Sequence, residues 1–572
     1  MKASRDDRPL PIAPNSRQHT LTTTEASALE SNLPQIVLLT AAGLCVTGGR
    51  LTKNRSAWGP LCLTALIVAA GCLAITTARD PHFGAGRLTR TVAWFSLGLG
   101  LLFVSAALKR AREAPFAAER FGFVLLSLAG LLFVDSVNDV ISLFVAWQLV
   151  VLPSDGLLFL SRPEHDSSGR PSVESAVTGR AVRDTARRWL ISVDPARRQF
   201  LLGVMSSLLL LAGLGFVGGV NGSIHLGDVR RGDHSNSGAI GEQPNAVPPR
   251  PAPLAIAATV LVFAGVGFRM AVVPFQFGIA DIYKGATTWT AGWLATVPKA
   301  AGFVVLLRVV GFTLPGSSAA AQLLLLVSAG GTLLLCGLLA LSQTNVRRLL
   351  AFTTMSHGGF ALAGFAAGFH PASGTVSSNG GLPGGLSAGL LFLGGSLWAT
   401  AGLFAILVYV ERSGRPVETL DELKGLVRTE PAAAIAAAIL LLSLIGLPPL
   451  CGFWGRLFVF TSTFSPRLVD PLTHLPEPHM AFLLLSLVAV AGFAMMAAVY
   501  LRLLSAMLLE RPIARPAPSG GQGALFAGVL AAVLTLGVGL LPGPVIDSVQ
   551  TSGSPQQRRQ NIDEAPRTNP GI

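Results

Sequence analysis

From residue 33 to residue 545 the chain is a succession of apolar runs separated by polar connections. A bilayer's hydrocarbon core is about 30 Å thick and takes roughly 20 residues of helix at about 1.5 Å each. In lipid the backbone must satisfy its own hydrogen bonds, so apolar runs of this length become helices. Fourteen are legible: near 33–49, 58–78, 92–108, 121–136, 139–160, 199–219, 253–275, 286–311, 319–341, 349–370, 383–410, 431–460, 480–501 and 523–545. The predicted fold is an all-α polytopic membrane protein of about 14 transmembrane helices. Composition agrees, because 51% apolar against 13% charged residues excludes an ordinary soluble domain.

The connections carry the remaining information. Residues 1–32 are polar and lack the apolar stretch of a signal peptide, so they read as a disordered tail; 546–572 form a second polar tail. Two insertions are long, 161–198 (Arg, Asp and Ser) and 220–252 (Gly, Asn, Ser and Pro), and both are expected to be flexible polar loops. The net charge of +13 reads as a topology signal and not as a nucleic-acid footprint. Loops after odd-numbered spans hold 25 Lys and Arg, loops after even-numbered spans 7, which puts the odd loops in the cytoplasm and both termini on the other side. The five cysteines lie singly in apolar runs. His225 and His234 lack a partner at ligand spacing, so no metal or iron–sulfur site is expected.

Ionisable residues inside spans cost several kcal/mol unless they face protein or water. Asp155 (span five), Arg269 (span seven), Lys299 (span eight), His357 (span ten) and Arg456 (span twelve) lie away from the span ends and predict a polar axis through the bundle. Pro153, Pro274 and the Pro448–Pro449 pair stand beside three of them. A proline removes a hydrogen bond from the carbonyl four residues back. The carbonyls of Leu149, Met270, Leu444 and Ile445 are thereby free to hold water or a cation, as in the discontinuous helices of transporters. Membrane prolines also act as plain kinks, but kink and charge together in spans seven and twelve favour transport. Broken helices five spans apart imply two repeats of five, spans four to eight (121–311) and nine to thirteen (319–501), after spans one to three (33–120) and before span fourteen (523–545). An odd number of spans per unit makes the repeats inverted.

Several segments in order resemble a known family: "LLFVDSVNDVISLFVAWQL", "GVGFRMAVVPFQF", "DIYKGATTWTAGWLATVPKAAGF", "QTNVRRLLAFTTMSHGGFALAGF" and "LSLIGLPPLCGFWGRLFVF". They are similar to the antiporter-like membrane subunits of the proton-pumping NADH:quinone oxidoreductase, respiratory complex I, and the "D-x-Y-x-G-A" and "V-P-K-A-A" text resembles subunit N. The resemblance implies a multi-pass inner-membrane subunit that moves protons while NADH, FMN, iron–sulfur clusters and quinone react in other subunits. Its partners would be the neighbouring membrane subunits, the bilayer and protons. The chain has no G-x-G-x-x-G fingerprint of its own, so no bound cofactor is expected. Alternatives are a subunit of a multi-subunit cation/proton antiporter and a non-pumping structural paralogue.

Where the family carries a glutamate in span five this chain has Gln148, and where it carries lysines in spans seven and twelve it has Arg269 and Arg456. Lys299 keeps the family's residue, and the family's "P-F-H-x-W" reads "PFQFG" here, with Gln276 and Gly278. A buried lysine can release a proton, whereas a guanidinium stays charged. Arg269 and Arg456 are therefore expected to act as fixed charges that bias Lys299 and order water, although 37 Arg against 6 Lys also makes the exchange compositional. Asp155 lies seven residues past Gln148, two turns on along the same face. Two readings are open for it: a replacement for the missing carboxylate, or a hydrated acid near a span end. His357 is expected to join a water wire.

Overall fold

The computed structural model describes residues 32–51, 57–79, 87–113, 116–160, 180–221, 224–226, 252–311, 318–369, 384–412, 416–464, 467–469, 476–512 and 518–550. The expected tails up to residue 31 and from 551, and the loop stretches 161–179 and 227–251 with His234, lie outside them. The chain opens with α1 (Leu33–Leu51), α2 (Trp58–Arg79), α3 (Arg87–Glu113), α4 (Ala117–Ser136), α5 (Val140–Leu160) and α6 (Arg180–Asn221). There follow α7 (Ala252–Met270), the short α8 (Ile279–Gly285) and α9 (Thr288–Leu306), which runs into a π-helical turn at Leu307–Gly311. Then come α10 (Ser318–Leu341), α11 (Val346–Gly368), α12 (Gly385–Val410), α13 (Leu426–Thr429), α14 (Pro431–Ile445) and α15 (Cys451–Phe464). After the ribbon of β1 (Arg467–Val469) and β2 (Pro476–Pro478), the chain ends in α16 (Met480–Leu508), α17 (Gln522–Leu540) and α18 (Gly543–Gln550). Among the described residues 12 helices are long and apolar enough to cross a membrane, or 13 if the bent pair Leu420–Thr429 and Pro431–Ile445 counts as one span.

One expectation is corrected. The stretch 161–198 was read as a loop throughout, yet α6 begins at Arg180 and carries its helix unbroken across Pro195 into the apolar run. The segment from Arg180 is rich in Arg and Ala, which lose little rotamer freedom in a helix, and its polarity hid that preference.

The two breaks form where the prolines foretell them. α7 ends at Met270 with Ala271 left-handed at φ 60°, and the chain runs irregularly to α8. α14 starts with Pro431 in its first turn and stops at Gly446, φ 89°, the conformation that a glycine reaches without Cβ strain. The bonds Val273–Pro274 and Pro448–Pro449 are cis. α9 and α11 occupy the middle of the bundle. Their apolar windows are 94% and 100% buried within the chain, against 33% for the peripheral α2. Polar groups on α9 and α11 are consequently shielded from lipid by protein on every side.

Loop contacts join loops of the same parity. On the odd side Arg120 donates to the Leu160 carbonyl, Lys109 to Ser519, Arg502 to Leu341 and Gln343, Arg348 pairs with Asp281, and Lys424 with Glu510. On the even side Asp139 bridges His225, and Arg308 caps the end of α4.

Candidate functional site

Two polar clusters are built on the broken helices and on α9 between them. In the first, Arg269 at the end of α7 meets Asp155 of α5 in a bidentate pair, Nη1 to Oδ1 at 2.8 Å and Nη2 to Oδ2 at 2.7 Å. Both side chains are 3% exposed. Gln199 of α6 adds a third donor to Oδ1 at 3.2 Å. Planar fork-to-fork geometry of this kind is the strongest form of carboxylate recognition a side chain offers. The pair neutralises Arg269, which removes the expected free positive charge beside Lys299.

Gln148 lies in the same region, where its Oε1 accepts from Ser207 of α6 at 2.8 Å. Gln148 and Asp155 line one crevice of about 130 Å³ with Phe144, Leu152, Phe200, Gly203, Val204, Ser207 and Leu208. Gly203 is decisive for its shape: a Cβ there would collide with the Arg269 guanidinium and the Asp155 carboxylate. Polar groups thus close one wall of an otherwise apolar crevice.

Lys299, in the middle of α9 and 1% exposed, donates from Nζ to the Thr354 carbonyl of α11 at 2.9 Å. His357 is three residues beyond Thr354 and therefore its neighbour on one face of α11. Its Nε2 shares a hydrogen bond of 2.8 Å with the Tyr500 hydroxyl of α16, while its buried Nδ1 has no hydrogen-bond partner. A cavity of about 10 Å³, roughly one water in size, adjoins it and is lined by Ser443, Leu444 and Gly452 at the break between α14 and α15. The fields of Lys299 and Arg456 both reach His357.

Arg456 of α15 turns back on the break. Its guanidinium donates to the Leu444 carbonyl at 2.9 Å and to the Ile445 carbonyl, and stands over the rings of Phe360 and Phe493 at 4.9 Å and of Phe392 at 5.6 Å. Two of the four carbonyls expected to hold water or a cation, those of Leu444 and Ile445, hold this chain's own guanidinium. Gln276, in the family's histidine position, is buried with Oε1 unpartnered.

The six residues singled out in the sequence fall into these clusters, Asp155, Arg269 and Gln148 in one, Lys299, His357 and Arg456 in the other. Gly203, Ser207, Gln199, Thr354 and Tyr500 were not foreseen. Tyr500 had a signal, as one of only three tyrosines and placed in an apolar run where its hydroxyl needs a partner. Gly203 had none, because only the packing of α6 on the ion pair excludes a side chain there.

The transmembrane family model described as NADH:quinone oxidoreductase/Mrp antiporter matches residues 182–470. The chain belongs to this family. A relative from Roseiflexus castenholzii, NADH-quinone oxidoreductase subunit N 2, is 30% identical over 80% of this chain and 82% of its own length. A chain of respiratory complex I from Thermus thermophilus is 25% identical with a TM-score of 0.64, covering 91% of this chain and 99% of that one. A chain of the Mrp complex from Dietzia shares the fold at 20% identity and a TM-score of 0.68, covering 94% and 99%. In this NADH:quinone oxidoreductase/Mrp antiporter member the matched stretch runs from α6 to β1 and holds both breaks, with Arg269, Lys299, His357 and Arg456. No group of three or more metal-ligating side chains occurs among the described residues.

Proposed function

We propose that this chain is the subunit N-type membrane component of an NADH:quinone oxidoreductase and moves protons across a bacterial-type inner membrane while redox chemistry proceeds on NADH, FMN, iron–sulfur and quinone sites of partner subunits. The observation that carries the reading is Lys299. It is a fully buried side chain that donates to one neutral acceptor, the Thr354 carbonyl, and no carboxylate among the described residues pairs with it to hold its proton permanently. On this reading Lys299 is the exchanging group. Asp155 with Arg269 forms a fixed ion pair on one side of it, Gln148 lines the access crevice, and His357 with Tyr500 continues the route towards Arg456.

The architecture proposed with it is 14 spans with two inverted five-span repeats, both termini outside the cytoplasm. Matching devices support the repeat. Asp139 before α5 accepts from Ser142 N, and Val140 N donates to Ile224 O after α6; Asn345 before α11 accepts from Arg347 and Arg348 N, and Val346 N donates to Glu418 O after α12. The segregation of loop contacts by parity supports the alternation of sides.

The test is NADH-driven proton uptake into vesicles holding the assembled complex. Lys299→Met is expected to abolish this subunit's transport, and Lys299→Arg to be nearly as damaging because it restores charge without a releasable proton. Equal pumping by wild type and Lys299→Arg would favour a second reading, a non-pumping structural subunit. The bonds of Arg456 to its own helix break favour that reading. Co-purification without any NADH dehydrogenase activity would instead favour a cation/proton antiporter subunit.

A further inference from the structure

Asp135 takes no part in either cluster. It lies in the last turn of α4, 6% exposed, with Oδ2 buried and without a hydrogen-bond partner. Thr89 of α3 lies beside its carboxyl. An acid at this end of a helix faces the negative pole of the helix dipole, so helix stability does not account for it. An orphaned buried carboxylate oxygen is also costly.

A cation from another element comes up beside it. Arg308, in the π-helical turn that ends span eight, donates to the carbonyl of Val134, the residue before Asp135. Its guanidinium is held at the C-terminal end of α4 by the carbonyls of Val134, at 2.6 Å, and Val137, with the Asn138 side chain at 3.4 Å. Single π-turns are rare and frequently mark functional positions. Arg308 is nine residues past Lys299, about 13 Å along the same span, and half-buried towards the even-side loops. On that side Asp139 and His225 tie the α4–α5 connection to the end of span six. A buried acid is thus set between the span that carries Lys299 and the loops opposite the Arg-rich ones.

We propose that Asp135 is the group through which this chain exchanges protons with the non-cytoplasmic side, with Arg308 as the electrostatic gate that sets when it does so. In the step, the Asp135 carboxyl loses its proton to a water at the even-side surface, the resulting carboxylate is stabilised by Arg308, and the next proton arriving from the Lys299 side restores the acid. The inference rests on the proton-translocating reading above. It adds an exit residue on a helix that carries none of the six site residues singled out in the sequence.

The experiment uses the assembled complex in vesicles, with Asp135→Asn, Asp135→Glu and Lys299→Met compared over a pH series and NADH oxidation followed in parallel. Proton movement through this subunit is taken as the part that Lys299→Met removes. Asp135→Asn is expected to reduce that part by about a hundredfold, the scale of a lost general acid. Asp135→Glu is expected to restore most of it with a displaced pH profile, which a merely structural role would not produce. Wild-type pumping by Asp135→Asn alongside failure of Lys299→Met overturns the assignment. Wild-type pumping by Lys299→Met overturns the transport reading itself. If Asp135→Asn does not assemble, an Asp135→Glu complex whose pH profile coincides with wild type overturns it equally.

Discussion

Removing one partner of the Asp155–Arg269 pair should expose how much of the first cluster's order depends on it. The donors sit 2.7–2.8 Å from the carboxylate oxygens and both groups are 3% exposed. With charge centres about 4 Å apart and an effective dielectric near 20, the attraction is about 4 kcal/mol. Asp155→Leu leaves a buried guanidinium whose Nε already lacks a partner, and Arg269→Met leaves a buried carboxylate with only Gln199. Each single variant is expected to lose about 3–5 kcal/mol. The double variant removes both charges together and is expected to lie within about 2 kcal/mol of wild type, since apolar replacements of buried pairs are often neutral. The coupling is then about 4 kcal/mol or more, close to a thousandfold in the folded ratio. Thermal unfolding of the four purified complexes in one detergent, read as loss of this subunit, measures the cycle. Losses that simply add, with coupling under about 0.5 kcal/mol, would refute a tight buried pair.

Gly203→Ala is expected to behave like a broken pair, because its Cβ collides with both partners, and the same unfolding assay applies. Asp155→Asn should lower proton uptake strongly and Gln148→Glu in that background should restore part of it; unchanged uptake by Asp155→Asn would deny Asp155 a role in transport. Arg456→Met leaves the Leu444 and Ile445 carbonyls without their donor and is expected to cost about 3–6 kcal/mol, as loss of two hydrogen bonds to a charged group. At the even-side loop, burial pushes the Asp139 carboxyl up, but the Ser142 hydrogen bonds and the His225 charge outweigh it and hold it below the usual carboxylate range. Its stabilisation is therefore present at neutral pH and lost as pH falls through the folded value, so Asp139→Asn should flatten the acid limb of the stability profile.

Much of the architecture was legible because lipid leaves few choices. An apolar run of span length must be helical, and Pro274 and Pro448–Pro449 must interrupt it, so the breaks near Met270 and Ile445 were readable without coordinates. Residues 180–198 were misread because polarity marks a segment as outside lipid without saying whether it is helical. The candidate site was legible as a set of types, since Asp155, Arg269, Lys299, His357 and Arg456 are conspicuous in apolar text. Their pairing was not.

Sequence by itself determined that this chain spans a membrane repeatedly, where two of its helices break and which ionisable residues lie inside apolar runs. All of these depend on local length, composition and backbone chemistry. Only the tertiary structure decided that Asp155 neutralises Arg269 across 114 residues of chain, that Arg456 satisfies the carbonyls of its own broken helix, that Lys299 meets Thr354, and that Arg308 bonds the Val134 carbonyl next to Asp135. The physical reason is that a charge's partner is set by which helices pack together and at what rotation, and apolar spans of nearly uniform hydrophobicity carry almost no periodic record of either.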